Sequence, residues 1–198
     1  METSILQGKL IRLDALDIER DAPTMARWSQ DAEYMRTQDC SMPARPTSLE
    51  CCKENFTAWY GQGLPSPTFF AFAVRTLAEN RLIGLLELEI GPAWPNREAW
   101  LGIGIGEAEF RSRGYGSDTM QVALRYAFTE LGLHRISLNV SEYNARAVQT
   151  YLKAGFTVEG RARAALARDG RRWDLIYMGI LHHEWKQAQL NNSPGKGR

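Results

Sequence analysis

The stretch Gly102-Ile103-Gly104-Ile105-Gly106-Glu107-Ala108-Glu109-Phe110-Arg111-Ser112-Arg113-Gly114-Tyr115-Gly116-Ser117 constrains the fold more than any other part of the chain. A strand-like run leads into it, and a helix-like run with Met120, Leu124, Ala127, Phe128 and Leu131 at helical spacing leads out. It is not a Walker A loop, because no GxxxxGK[ST] string occurs. Nor is it a dinucleotide fingerprint: the third glycine of GxGxxG would fall on Glu107, Glu109 or Thr119. What remains is strand, Arg-x-x-Gly-x-Gly, helix. Gly114 and Gly116 let backbone N–H groups approach an anion, the helix offers its positive end, and Arg111 and Arg113 add cationic donors. The loop alone reads equally as a tight strand-to-helix turn with two solvated arginines.

The surrounding pattern gives the fold class. Strand-like runs occupy residues 9–14, 69–75, 82–90 and 98–105. Helical patterns cover 21–38 and, behind a Thr47-Ser48-Leu49-Glu50 capping box, the segment to about Tyr60. After the glycine-rich loop come a helix over 115–131 stopped by Gly132, a strand over 134–140, and a short helix over 144–154 with Asn144 as N-cap. Residues 156–164 and 173–181 form a hairpin turning at Arg168-Asp169-Gly170. Strands in succession, then strand–helix–strand–helix, predict an α/β (mixed α+β) chain with a mixed sheet and helices on its faces. One domain over 1–190 and a disordered polar tail over 191–198 follow.

Composition excludes several classes. The net charge of +1 gives no global excess for nucleic acid. The longest apolar run, 69–74, is far too short to span a bilayer, and the first ten residues lack a signal-peptide core. Cys40, Cys51 and Cys52 lack metal-ligand spacing and read as free thiols in a reducing cytoplasm; His134, His182 and His183 form no zinc motif, so no metal is expected. The near-neutral sum hides an asymmetry. Residues 1–110 carry 10 basic and 16 acidic groups, and residues 111–198 carry 14 basic and 7 acidic. The basic second half invites an anionic ligand, the acidic first half a cationic one.

A second motif follows the next strand: Asn144-Ala145-Arg146-Ala147-Val148-Gln149-Thr150-Tyr151-Leu152-Lys153-Ala154-Gly155-Phe156. Arg-x-x-Gly-x-Gly followed by Asn-x-x-Ala-x-x-x-Tyr-x-Lys-x-Gly-Phe resembles the GNAT acyltransferase superfamily, over residues 82–185. The stretches 125–135 and 168–178 resemble the branch of ribosomal-protein N-terminal acetyltransferases and spermidine N-acetyltransferases, while residues 1–80 fit it only loosely. Ser112-Arg113 stands where many relatives have Gly-Lys.

The resemblance implies a largely antiparallel sheet in which two parallel strands, 100–105 and 136–140, splay to admit acetyl-CoA as co-substrate. It implies that backbone near Ile103 and Ile105 holds the acyl-pantetheine arm, and that Arg111, Ser112, Arg113, Gly114, Tyr115, Gly116 and Ser117 hold the pyrophosphate. It also brings in Asn144, Ala147, Tyr151 and Lys153 as cofactor contacts. Tyr151 alone reads as a core aromatic; in the motif it becomes the acid for the departing thiolate. The base falls to Glu87 first and Glu98 second, each readable also as a solvated strand-face carboxylate. Trp28, Trp59, Tyr60, Trp94 and Trp100 are candidate walls of an acceptor pocket or plain packing. The implied reaction is direct attack of a primary amine (a protein N-terminus, polyamine or other small amine) on the thioester. A CoA-binding module without catalysis, and transfer of a longer acyl group such as succinyl, are the alternatives. Relatives are often dimers, so a homodimer is the assembly the resemblance suggests.

Overall fold

The computed structural model describes residues 4–38, 45–60, 68–91 and 96–192, without the side chains of 58–60 and 192. Its elements are β1 (Ile11–Ala15), α1 (Ile18–Trp28), α2 (Ala32–Gln38), α3 (Leu49–Tyr60), β2 (Phe69–Thr76), β3 (Leu82–Ile90), β4 (Glu98–Ile105), α4 (Tyr115–Arg125), β5 (Arg135–Ser141), α5 (Ala145–Ala154), β6 (Thr157–Arg168), β7 (Arg171–Leu181) and α6 (His182–Asn192). The strands form one sheet in the order β1-β2-β3-β4-β5-β7-β6. Every neighbouring pair is antiparallel except β4 and β5.

Alternation decides which face is buried. Leu86, Leu88 and Ile90 on β3, Ile136, Leu138 and Val140 on β5, and Ile176, Met178 and Ile180 on β7 join Met120, Leu124, Ala127 and Phe128 in the main core. Burying each large aliphatic side chain stabilises the fold by roughly 1.5–3 kcal/mol. The other face is covered at the β1–β3 end by Trp28 and Tyr34 over Ala73 and Leu82. Glu87, Glu89, Trp100 and Gly102 share that face further along, where they line an open concavity.

Helix α4 carries the glycine-rich loop at its start and is fixed to the N-terminal segment. The Asp118 carboxylate accepts from the backbone N–H groups of Lys9, Leu10 and Ile11 at 3.0, 2.7 and 3.1 Å. Arg125, a few turns on, donates to the carbonyls of Ile5 and Gln7 at 2.8 and 2.6 Å.

Several expectations need correction. The helix expected over 21–38 is two helices. It starts at Ile18, because Asp17 caps the N–H groups of Glu19 and Arg20, and breaks before Ala32, because Asp31 accepts from Glu33 and Tyr34 at 2.9 and 3.1 Å. Helix α3 is capped by Ser48, which accepts from Cys51 at 3.1 Å, rather than by Thr47. The expected 115–131 helix is α-helical to Arg125 and ends in a wider π turn, Tyr126–Glu130. Helix α6, where the sequence predicts no element, is held by Trp185 and His182 packed on Phe128 at 5.3 and 5.4 Å, and it takes in Asn191 and Asn192 of the supposed tail. The rest of that tail, the turn cluster at 61–67, Trp94 and Cys40 lie outside the described residues. The hairpin turns as expected, with Asp169 and Gly170 both left-handed at φ 51° and 70°.

A carboxylate clamp ties α1 to the end of β4. Glu107 accepts from Trp28 Nε1 at 2.9 Å and Arg81 at 2.7 Å, and it pairs with Arg27. Burial alone would raise its carboxyl, but the Trp28 N–H and the two guanidinium groups outweigh burial and hold it below the usual range. A depressed carboxyl stabilises the fold above its unfolded value and loses that contribution as pH falls through the folded one. Glu107→Gln is therefore expected to cost about 1.5–3 kcal/mol in urea unfolding at pH 7. The gap to the wild type should close as pH falls from about 5 towards 3; a gap independent of pH would contradict the clamp.

Candidate active site

Strands β4 and β5 pair only at Glu98–Arg135, Ala99–Ile136 and Trp100–Ser137, then separate. The opening is a narrow cavity of about 160 Å³. Its walls are Ile103, Gly104 and Ile105 on β4, and Asn139, Val140 and Ser141 on β5. Ser112, Gly114, Gly116 and Ser117 close one end, and Asn144, Arg146, Ala147, Thr150 and Tyr151 of the α5 segment close the side. Gly114 precedes α4 at φ 89°, a left-handed conformation that favours glycine. The first N–H groups of α4 have no partner within the helix, and Gly116 and Ser117 at that start line the cavity. Asn144 caps α5 by accepting from the Ala147 N–H at 3.2 Å, as expected, and still reaches the cavity.

A second, wider cavity of about 650 Å³ continues on the same sheet face. It is lined by Phe69, Leu85, Glu87, Glu89, Trp100 and Gly102, among others. Among the described residues its charged groups are carboxylates only, whereas those of the first cavity are Arg111 and Arg146. Thr37, Gln38, Ile103, Gly104, Asn139 and Tyr151 line both. Tyr151 is 8% exposed and packs its ring on Phe156 at 5.9 Å. Burial pushes its phenol up to about 12, so it stays protonated across the physiological range.

Not every residue expected at the site is there. Glu98 accepts from Ser137 Oγ at 2.8 Å and from Arg135 at 3.2 Å, inside a network that continues to Glu159. It lines neither cavity; Ser137 and Arg135 hold it at the first residue of β4. Arg113 and Lys153 are exposed and line neither cavity, and Tyr115 packs edge-on against Phe110 at 5.0 Å. Trp28 belongs to the α1 core and the Glu107 clamp, while Trp100 does wall the second cavity.

Arg111 lines the first cavity, but its donors turn to protein groups. Its side chain is 7% exposed. Nε donates to Ile105 O at 2.9 Å, Nη2 reaches Gly106 O at 2.6 Å and Asp31 at 2.7 Å, and the guanidinium lies 5.6 Å over the Tyr34 ring. At Asp31 burial works against the charge, but Arg111 and two backbone N–H groups win and hold the carboxyl below its usual range. Arg111 thus joins the glycine-rich loop to α2. Arg146, not singled out from sequence, stands in the cavity wall with Glu33 at 3.5 Å. Its signal was its place inside the Asn144 motif. Thr37 and Gln38 carried none, since α2 reaches the cleft only through tertiary packing.

Comparison with known proteins agrees with this geometry. The family model described as an acetyltransferase (GNAT) domain matches residues 11–157. The chain belongs to the GNAT acetyltransferase family. The spermidine N(1)-acetyltransferase of Vibrio cholerae is 36% identical over 108 residues, 54% of this chain and 61% of that protein. The provisionally named ribosomal N-acetyltransferase YdaF of Bacillus subtilis is 33% identical over 91 residues, 46% of this chain and 49% of that protein. The chain thus spans about half the length of the curated relatives it matches. Among solved structures, the Vibrio cholerae spermidine N-acetyltransferase in complex with CoA and spermine aligns with a TM-score of 0.75 at 27% identity, over 89% of this chain and 98% of that one.

With the Arg111 donors held by protein groups, Arg111→Gln should lower the melting temperature and shift α2, while CoA affinity changes little. A variant with native melting but CoA affinity down by more than about tenfold would return Arg111 to the phosphates.

Proposed function

We propose that the chain, as one domain over 1–190, transfers an acetyl group from acetyl-CoA to a primary amine by direct attack, with no acyl-enzyme. The observation that carries this reading is the meeting, at Tyr151, of a glycine-rimmed cavity lined by Arg111 and Arg146 with one lined by Glu87 and Glu89. That meeting also favours turnover over a CoA-binding module, since a module needs no second cavity. Bound acetyl-CoA supplies an activated thioester, and the residues fit such a ligand. The loop 112–117 and the start of α4 take the pyrophosphate, with Arg146 beside them. The unpaired edge of β4 beyond Trp100 takes the pantetheine amides, and Asn144 and Ala147 flank the arm.

Glu87 and Glu89 draw a cationic amine into the wider cavity, and Trp100 offers it an aromatic wall. Glu87, on the β3 register facing Gly102, removes the ammonium proton directly or through water. Tyr151 faces the departing sulfur. A donor near 12 stands roughly 3.5 units above a thiol in water, so free proton transfer to the thiolate is uphill. The same dry surroundings raise the thiol as well, which narrows the gap. The work of Tyr151 is then chiefly a hydrogen bond that strengthens as charge builds on sulfur, with the proton following. The acceptor is a small amine or a peptide N-terminus, polyamines included, as in the spermidine-acetylating relatives. The setting is a reducing cytoplasm, where Cys51 and Cys52 stay thiols.

One experiment tests the proton roles: pH–rate profiles of two variants over an amine panel with acetyl-CoA. Tyr151→Phe should lower kcat on the order of 10²-fold with acetyl-CoA affinity nearly unchanged. Glu87→Gln should remove the acidic limb of kcat/KM. Undiminished turnover in the first variant would strip Tyr151 of its role, and an unchanged acidic limb in the second would point to a water chain.

A further inference from the structure

We infer that the carboxamide of Gln38 limits the transferred acyl group to acetyl size; the inference rests on the acyltransferase reading above. Among the described residues, Thr37, Gln38, Ile103, Gly104, Asn139 and Tyr151 line both cavities, so the thioester carbon and the amine meet among them. Within this junction Gly104 leaves a gap on β4, and the Gln38 amide occupies it. The Oε1 and Nε2 atoms of Gln38 both lie 2.3 Å from where a Cβ on residue 104 would be, too close for one to fit. Gln38 is therefore the side chain that fills the space into which a longer acyl chain would extend.

Its position is fixed from the cofactor side. Helix α2 is tied at its start by Arg111 to Asp31 at 2.7 Å, and near its end by the Tyr143 hydroxyl, which donates to Arg36 O at 2.8 Å. The amide is thus delivered by a held helix rather than by a free strand end. The junction also selects against charge: among the described residues none of its five side chains is cationic, so a carboxylate-ended acyl group finds no counter-charge from them. Short and neutral is the class of acyl group this arrangement takes.

Calorimetric titration of wild type, Gln38→Ala and Gln38→Leu with acetyl-, propionyl-, butyryl- and succinyl-CoA reads the effect without needing turnover. One methylene in a fitted pocket changes affinity about tenfold or more. In Gln38→Ala the butyryl-to-acetyl affinity ratio should rise at least about tenfold, while in Gln38→Leu, which refills the volume, it should stay within about twofold of wild type. Succinyl-CoA should stay weak in both. Gln38→Ser opens the same space if the alanine variant does not fold. An unchanged ratio in a folded, opened variant overturns the inference, as does an equal rise in the leucine variant. Acyl-CoA binding without acetylation of any amine would sink the acyltransferase reading, while the ratios would still decide the role of Gln38.

Discussion

Two parallel strands that share a sheet yet pair at only three positions impose the main constraint on this molecule. Beyond Trp100 and Ser137, the facing edges of β4 and β5 have backbone groups with no ladder partner. Such groups are costly when buried dry. The chain meets the problem in two ways. Arg111 fills part of the deficit from within, taking the carbonyls of Ile105 and Gly106. The remaining edge stays open towards a cavity, where an amide-bearing ligand can complete the ladder. A long pantetheine arm meets that requirement.

The charge asymmetry along the chain becomes a separation in space at this point. The narrow cavity has the arginines and the helix start, and the wide one has Glu87 and Glu89. The division is not clean by sequence half. Arg111 is paired with Asp31 and stacked on Tyr34, so the first basic group of the basic half is largely neutralised by the acidic half. Helix α2 is the bridge. It is held by the glycine-rich loop through Asp31 and by the turn before α5 through Tyr143. At its end it presents Thr37 and Gln38 to both cavities. The glycine-rich loop and the wall of the wider cavity are therefore joined through one helix.

Local signals were legible from the sequence. Asn144 as a cap, Asp169-Gly170 as a turn and the Glu87/Glu89 alternation each depend on a few neighbouring residues, and each stands in the structure as read. The splay of β4 from β5 came from the family motifs rather than from periodicity. What stayed hidden depends on contacts across long sequence distances. Arg111 meets Asp31, Glu107 meets Trp28 and Arg27, and Glu98 meets Ser137 and Arg135. A lone arginine in a phosphate motif and a lone glutamate on a strand look available until the partner folds onto them. The break between α1 and α2 was missed because Asp31 suits a helix face about as well as a cap, and only its bonds to Glu33 and Tyr34 decide.

The central claim is that the gap between β4 and β5 receives the CoA arm with its reactive end at Tyr151. Amide chemical-shift mapping by two-dimensional NMR during titration with CoA tests it most directly. The predicted result is saturable shifts clustered on residues 103–105, 112–117 and 139–147, with a smaller set on α2 transmitted through Arg111. Saturable binding that leaves those segments unmoved and perturbs another surface would contradict it.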